Sequence, residues 1–362
     1  MEKMKGLVCN GPFNYTIENV PVPKLKENHL LVKPLYVGVC MTEVNYYFGK
    51  GFCGGAPAPI GQLLGHEGSA EVVEVGPGVE GWKVGDRMAI DPCYHCGECI
   101  TCGDGLLCMS PDAVPWITGF AEYSMPHVNS CYKIPDEVSD LAASSVETFA
   151  MATRGVRRLF HVGDNVVLFG FECNNIATLQ WIHRTANKVI VVDPKKYRRD
   201  LAVKLGADLV VDPKATDAVQ AIREAMPFGA DLCYVSVEPF IDPVVENYMA
   251  QACASTRLMG TIAIYRNYGD EMLAHTNIYV PYYNEQTITW VGSYGSEAIR
   301  GGRDRGDYQI TIDALAAKKL DGETYISKIV SFEDLKTKED VAAMMSGMRD
   351  KEQKIHIKFW GK

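Results

Sequence analysis

Between Asn165 and Ile264, short apolar runs alternate with helical stretches of about ten residues. The runs Asn165–Phe169, Lys188–Val192, Asp208–Val211, Asp231–Val235 and Leu258–Ile264 read as strands. Helical patterns over Ile176–Thr185, Lys196–Leu205, Thr216–Met226 and Pro243–Ala254 separate them. Continuous apolar strands must be covered on both faces. Strands joined by helices are joined by crossovers, so they pair in parallel. The pattern predicts a doubly wound sheet, the layout that binds nucleotides.

The first 135 residues have a different texture. Lys5–Cys9, Tyr15–Val20, Leu30–Val39, Ser69–Val75 and Arg87–Ile90 read as short strands. Turn residues at Gly76-Pro77-Gly78, Gly81 and Gly85-Asp86 punctuate them, which predicts a barrel-like β domain. A helical pattern covers Leu141–Phe160. After Gly292 come helical patterns at Tyr308–Lys318 and Glu333–Met348, then a closing strand, Lys354–Phe359. This tail is expected to return to the first domain. A length of 362 residues suits two domains with sizeable cores.

The formal charge of −9 and the lack of a basic tract argue against nucleic acid as a partner. The clusters Arg154, Arg157, Arg158 and Lys195, Lys196, Arg198, Arg199 read as solvated helix faces or, for the second, a cofactor rim. No stretch reaches the apolar length of a membrane span, and Met1–Gly11 has no signal-peptide core. The expectation is a cytoplasmic protein with no membrane partner.

Five cysteines fall within residues 93–108. Cys96, Cys99, Cys102 and Cys108 follow an x2, x2, x5 spacing, and four thiolates in a tight loop suit a structural Zn²⁺. Cys93 is a weaker substitute for one of them. Disulfides are the competing reading. The remaining cysteines (Cys9, Cys40, Cys53, Cys131, Cys173, Cys233, Cys253) are scattered singly, as in a reducing compartment.

A second set of metal donors is dispersed. Cys40 lies in Gly38-Val-Cys-Met-Thr-Glu43, His66 and Glu67 in Gly65-His-Glu-Gly68, and Glu147 in Ser144-Ser-Val-Glu-Thr148. Thiolate, imidazole and carboxylate together leave a tetrahedral position open, as in catalytic zinc sites. Taken singly, Cys40 reads as a small buried hydrophobe and Glu147 as a helix-surface acid.

Taken in order, these motifs, the four-cysteine lobe, Gly119-Phe-Ala-Glu-Tyr123 and the βαβ region resemble the medium-chain zinc-dependent alcohol dehydrogenases, closest to the polyol and threonine dehydrogenase branch. The resemblance spans Lys5 to about Ile357. It implies an α/β plus β fold: a GroES-like catalytic domain (1–155), an inserted Rossmann domain (156–293) and a C-terminal return (294–362). It implies two zinc ions per chain, one structural and one catalytic. Cys40, His66 and Glu147 would ligate the catalytic ion, with Glu67 a second-shell or alternating ligand. Thr42 would receive the alcohol proton, and the hydride would pass to NAD. Glu43 stands where the family has an Asp that orients the ligand histidine. Asn45 replaces a histidine that many relatives use to pass the proton onward, so Asn45 is not assigned as a catalyst.

The same resemblance implies cofactor contacts from Gly170, Cys173, Asn174, Asn175, Asp193, Arg198 and Ser293. The family pattern Gly-x-Gly-x-x-Gly is here Gly170-Phe-Glu172-Cys-Asn-Asn175, with only the first glycine kept. Glu172 adds bulk and negative charge where phosphates are expected. Asp193, 23 residues after Gly170, has the spacing of the acid that binds the adenosine ribose and would repel a 2′-phosphate, which favours NAD over NADP. Arg198 is placed to flank the adenine. Glu238 stands where relatives usually have glycine, and Gly292-Ser-Tyr-Gly295 matches a segment near the nicotinamide.

The leading reading is therefore an NAD-dependent zinc oxidoreductase acting on a secondary alcohol or polyol, or its ketone. The alternative is a non-redox zinc lyase, hydratase or isomerase with altered or tightly bound nucleotide, motivated by Glu172, Glu238 and the missing glycines. The substrate itself is not legible. Tyr46, Tyr47, Phe48, Phe52 and Trp116 read equally as pocket walls or as packing. A homodimer or homotetramer is expected, with the sheet edge near Thr287–Val291 as the pairing strand.

Overall fold

The computed structural model of the chain describes residues 2–50, 58–93, 99, 119–236, 247–265, 276–277, 279–292 and 306–360. Cys96, Cys102, Cys108, Phe52, Cys53, Trp116, Glu238, Ser293, Tyr294 and Gly295 lie outside these residues. In chain order the elements begin with β1 (Lys3–Cys9), β2 (Tyr15–Pro21), β3 (Leu30–Gly38), α1 (Met41–Tyr47), β4 (Gln62–Leu63), β5 (Glu67–Val75), β6 (Arg87–Ile90) and β7 (Cys131–Lys133). Next come α2 (Asp140–Ala143), α3 (Val146–Leu159), β8 (Asn165–Phe169), α4 (Cys173–Ile182), β9 (Lys188–Val192), α5 (Lys196–Lys204), β10 (Leu209–Val211) and α6 (Ala218–Ala225). The rest are β11 (Ala230–Val235), α7 (Tyr248–Ser255), β12 (Thr256–Ile264), α8 (Tyr279–Tyr283), β13 (Thr287–Trp290), α9 (Asp307–Ala316), β14 (Lys328–Ser331), α10 (Lys338–Asp350) and β15 (Ile355–Lys358).

The chain divides into two compact units, Met1–Ala150 with Tyr294–Lys362, and Met151–Ser293. The first contains a six-stranded sheet, β14-β15-β3-β5-β6-β7, and a three-stranded sheet, β2-β1-β4. The C-terminal strand β15 pairs antiparallel with β3, and β3 pairs antiparallel with β5. This register puts Glu67, Gly38 and His356 in one row across three strands. The tail thus delivers residues from the end of the chain to the row that holds Glu67.

The helical pattern over Leu141–Phe160 is not one helix. It breaks at Ser144-Ser145, between α2 and α3. Both serine hydroxyls are committed to carbonyls: Ser144 Oγ donates to Leu141 O (2.7 Å), and Ser145 Oγ to Gly322 O (2.6 Å). Serine side chains compete with helix backbone in this way. The break starts α3 anew and sets Glu147 in its first turn, where a carboxylate suits the helix dipole. The pattern over Glu333–Met348 is likewise shortened. Thr337 caps α10 by accepting from Asp340 N–H, so the α-helix begins only at Lys338.

The second unit is a six-stranded parallel sheet in the order β10-β9-β8-β11-β12-β13. That order reverses direction between β8 and β11, whose carboxyl ends are Phe169 and Val235. Ligands of open α/β sheets bind at such a switch point. The core beneath it includes Val167, Phe169, Ile190, Val192, Cys233 and Ile262, all buried. Among the described residues, no helix is long and apolar enough to cross a membrane.

Candidate active site

In the first unit, Cys40 is the residue immediately before α1, with extended backbone. Glu43, one turn on, ties the site together. Its Oε2 accepts from Cys40 N–H (3.0 Å), and its Oε1 accepts from Gly65 N–H (3.3 Å) and from His66 Nδ1 (2.8 Å). The longer acid therefore reaches the histidine. With Nδ1–H committed to Glu43, Nε2 is the nitrogen left for a metal. Gly65 has φ +88, and a Cβ there would collide with Phe120. Only glycine allows the turn that feeds His66 into the site.

The ligand atoms of Cys40, His66 and Glu67 all lie within 4.8 Å of one another, the one such group of metal donors among the described residues. A sulfur, a nitrogen and an oxygen at this spacing fit a zinc ion. Thr42 Oγ1 is 3.5 Å from Cys40 Sγ. Glu147 stands outside the three-residue group but close enough to feel Glu67, His66 and Lys354. Cys99 is half-buried, but its three proposed partners lie outside the described residues. The four-thiolate centre therefore rests on its spacing.

Sequence reading missed Lys354. Its Nζ lies 2.5 Å from Glu67 Oε2, and both side chains are buried. Burial alone would raise the Glu67 carboxyl, but the Lys354 ammonium, with His66, holds it at about 2. Burial and the Glu67 charge push Glu147 the other way, up to about 7. Burial tends to lower His66, yet the Glu43 carboxylate and the Cys40 sulfur outweigh it and keep the imidazole well above its ordinary value. His356 sits fully buried behind this group, with Nδ1 2.8 Å from Ser144 Oγ. Burial and Lys354 depress it to about 3. No local motif announces Lys354 or His356. The sequence offers only the expectation that the tail returns to the first domain.

The aromatic residues after Cys40 are committed to packing. Tyr47 is buried and meets Phe13, Tyr15 and Phe48 edge to face. Arg349 lies over the Phe48 ring at 4.1 Å. These contacts take Tyr47 and Phe48 out of the argument for an aromatic-lined pocket.

In the second unit, Gly170 turns the chain at the end of β8 with φ +75, and its N–H donates to Val192 O (2.8 Å). Asp193, at the end of β9, is buried. Its Oδ2 accepts from Phe171 N–H (2.7 Å) and its Oδ1 from Lys195 N–H (2.8 Å). Glu172 does not face open space. Its Oε1 is 3.3 Å from Arg198 Nη1, which is also 3.4 Å from Asp193 Oδ2. The negative charge that Glu172 adds at this turn is thus paired with Arg198.

Asn175 fills the place of the third glycine and is fully buried. Its Nδ2 donates to Phe169 O (3.1 Å) and Gly170 O (2.7 Å). The side chain thus ties helix α4 to the end of β8, where the family motif relies on close packing. Cys173 and Asn174 follow in the first turn of α4, both buried. The turn, the acid at the end of β9 and the helix start retain the parts that a dinucleotide uses.

The Alcohol dehydrogenase GroES-like domain family matches residues 26–136, and the Zinc-binding dehydrogenase family matches residues 176–316. Sorbitol dehydrogenase of Bombyx mori is 30% identical over 240 residues, covering 64% of this chain and 68% of the relative. Sorbitol dehydrogenase of Bacillus subtilis (strain 168) is 28% identical over 271 residues, covering 73% of this chain and 75% of the relative. The crystal structure of an oxidoreductase/dehydrogenase of unknown specificity from Escherichia coli superposes with a TM-score of 0.84 over 99% of this chain and 100% of that one, at 24% identity. That last likeness concerns the fold alone. The chain belongs to the medium-chain zinc-dependent alcohol dehydrogenase superfamily. It is an oxidoreductase of the zinc type.

Proposed function

We propose that the protein interconverts a secondary alcohol or polyol and its ketone, with NAD as the hydride carrier and one catalytic zinc. The observation that carries this reading is the convergence of Cys40, His66 and Glu67 within 4.8 Å, with the Thr42 hydroxyl beside Cys40. Zinc, when bound, would supply Lewis acidity that eases loss of the alcohol proton, and a bound NAD would supply the capacity to take up hydride. The chain's own residues do the rest. Cys40, His66 and Glu67 or Glu147 hold the metal, and Glu43 keeps His66 in the tautomer that ligates. Thr42 would accept the alcohol proton at Oγ1 while releasing its own hydroxyl proton to solvent. Lys354 restrains the Glu67 carboxylate. A polyol accords with the two sorbitol dehydrogenases among the relatives.

The second zinc is assigned to Cys96, Cys99, Cys102 and Cys108. Gly170, Cys173, Asn174, Asn175, Asp193, Arg198 and Ser293 are assigned to the cofactor. We place the protein in the cytoplasm, which its singly scattered cysteines suit. We further propose a homodimer or homotetramer formed through β13. That strand is the sheet edge and carries Trp290, which is 46% exposed.

The test combines metal analysis, nucleotide titration and an alcohol screen. The expected result is about two zinc ions per chain, saturable NADH binding, and reduction of NAD with a secondary alcohol or polyol. Thr42→Val should lower kcat by about 100-fold or more without loss of zinc, whereas Thr42→Ser should retain most activity. Zinc-replete protein that binds neither NADH nor NADPH would move the reading to a non-redox zinc enzyme.

A further inference from the structure

The basic run at the start of α5 looks on paper like a phosphate-binding rim. Three of its four side chains, Lys196, Arg198 and Arg199, are paired with carboxylates. Lys196 Nζ pairs with Asp200 at 2.7 Å, and Arg199 Nη2 pairs with Asp212 at 2.8 Å. Arg199 Nη1 also donates to Asp193 O at 2.7 Å. Arg198, 8% exposed, is held between Glu172 (3.3 Å) and Asp193 (3.4 Å), which are 7% and 1% exposed.

This arrangement bears on the cofactor. Asp193 ends β9, the position from which an acid binds the adenosine ribose, and a 2′-phosphate would project from that ribose. A protein that accepts the phosphate offers it an arginine. Here an arginine is present, five residues after Asp193, but its charge is already taken. Two carboxylates and one guanidinium leave the corner at net −1. With Glu172 absent it would be neutral, and Asp193 would be the carboxylate left beside Arg198.

We infer that Glu172 is a specificity-determining residue: a resident anion that engages Arg198 in place of a 2′-phosphate and so makes the site select NAD over NADP. This rests on the proposed dehydrogenase function and adds a reason for the lost glycine. The position gives up glycine's freedom and gains a counter-charge. The ion pair draws the carboxylate toward Arg198, which spares the pyrophosphate the full like-charge contact that sequence alone suggests. The same pair keeps the guanidinium from recruiting a phosphorylated ribose. Asp193 alone would repel the 2′-phosphate less, because Arg198 beside it would offset its charge.

The test is a titration of full-length, zinc-replete protein with NADH and with NADPH, following cofactor fluorescence to obtain both Kd values. The variants are Glu172→Gln, which keeps the shape, and Glu172→Gly, which restores the family residue. Circular dichroism melts check that each is folded. The ratio of Kd for NADPH to Kd for NADH should fall by about tenfold or more in both variants, mainly through tighter NADPH binding. About tenfold corresponds to ~1.4 kcal/mol of differential binding. Adding Arg198→Gln to Glu172→Gln should cancel the gain, because the arginine is what the phosphate would engage. A ratio unchanged in both single variants, with wild-type protein binding NADH, overturns this inference and leaves the dehydrogenase reading intact. Wild-type and both variants binding neither nucleotide overturns both together.

Discussion

Lys354, one residue before the strand that ends the fold, places its ammonium 2.5 Å from the carboxylate of Glu67, the first residue of β5. The two are 3% and 2% exposed, and the ammonium is the first of the charges that offset the burial of the carboxylate. In the zinc-free protein, replacing Lys354 with Met should leave the buried Glu67 carboxylate without its nearest cation and lower unfolding free energy by ~3–5 kcal/mol. Lys354→Arg should recover most of the loss. Urea denaturation of the three proteins measures this, and a change below about 1 kcal/mol for the Met variant would contradict the account.

Glu43 has a different task. It accepts from Cys40 N–H, Gly65 N–H and His66 Nδ1 at once, so it sets both the loop and the tautomer of a metal donor. Glu43→Gln should weaken zinc binding at the catalytic site by ~10–100-fold while the fold persists. Competition against a chromophoric chelator reads the affinity. Full affinity in the variant would mean that the backbone alone orients His66.

His356 predicts a pH effect whose sign can be worked out. Its folded value, about 3, lies below its ordinary 6.5. Between those values the unfolded chain binds a proton that the folded chain refuses, so this group makes stability rise with pH and fall on acidification. Glu67, held at about 2 against an ordinary 4.5, adds the same trend between those values. Glu147, at about 7 against 4.5, acts in the opposite sense between pH 4.5 and 7, because there the folded chain keeps a proton that the unfolded chain has released. The comparison is therefore between wild type and His356→Gln. The variant should lack up to ~1.4 kcal/mol per pH unit of acid sensitivity between pH 3 and 6.5. Identical slopes would show that His356 takes up its proton in the folded protein.

Restoring the family glycine at Asn175 should harm the protein. The buried Asn175 Nδ2 donates to Phe169 O and Gly170 O at the end of the central strand. Asn175→Gly removes both bonds and places glycine within a helix, for an expected loss of ~1–3 kcal/mol. A thermal melt is sufficient to check it. A variant as stable as wild type would mean that solvent satisfies those carbonyls.

Much of this molecule is legible in its sequence. The strands Arg87–Ile90, Asn165–Phe169 and Lys188–Val192 have the bounds that the sequence suggested, because buried strands are marked by apolar runs between turn residues. Strand β14, Lys328–Ser331, was missed. It is an edge strand, and its first two residues are exposed, so it carries little apolar signal. The break at Ser144-Ser145 was missed too, since the apolar period runs on through it and only the hydroxyl partners reveal the interruption.

The sequence by itself determined the class of the chain. Alternating strands and helices specified the parallel sheet, and short motifs around Cys40 and His66 pointed to candidate metal donors, because local propensity and donor chemistry need only neighbouring residues. The tertiary structure alone decided which charges compensate which. Lys354 meets Glu67 across 287 positions of chain only because β15 pairs with β3 and β3 with β5. Glu172 looked like an obstacle until the turn at Gly170 and the start of α5 brought it to Arg198. Electrostatic energy depends on distance and burial, and residues far apart in the chain acquire both only when the strands take their register.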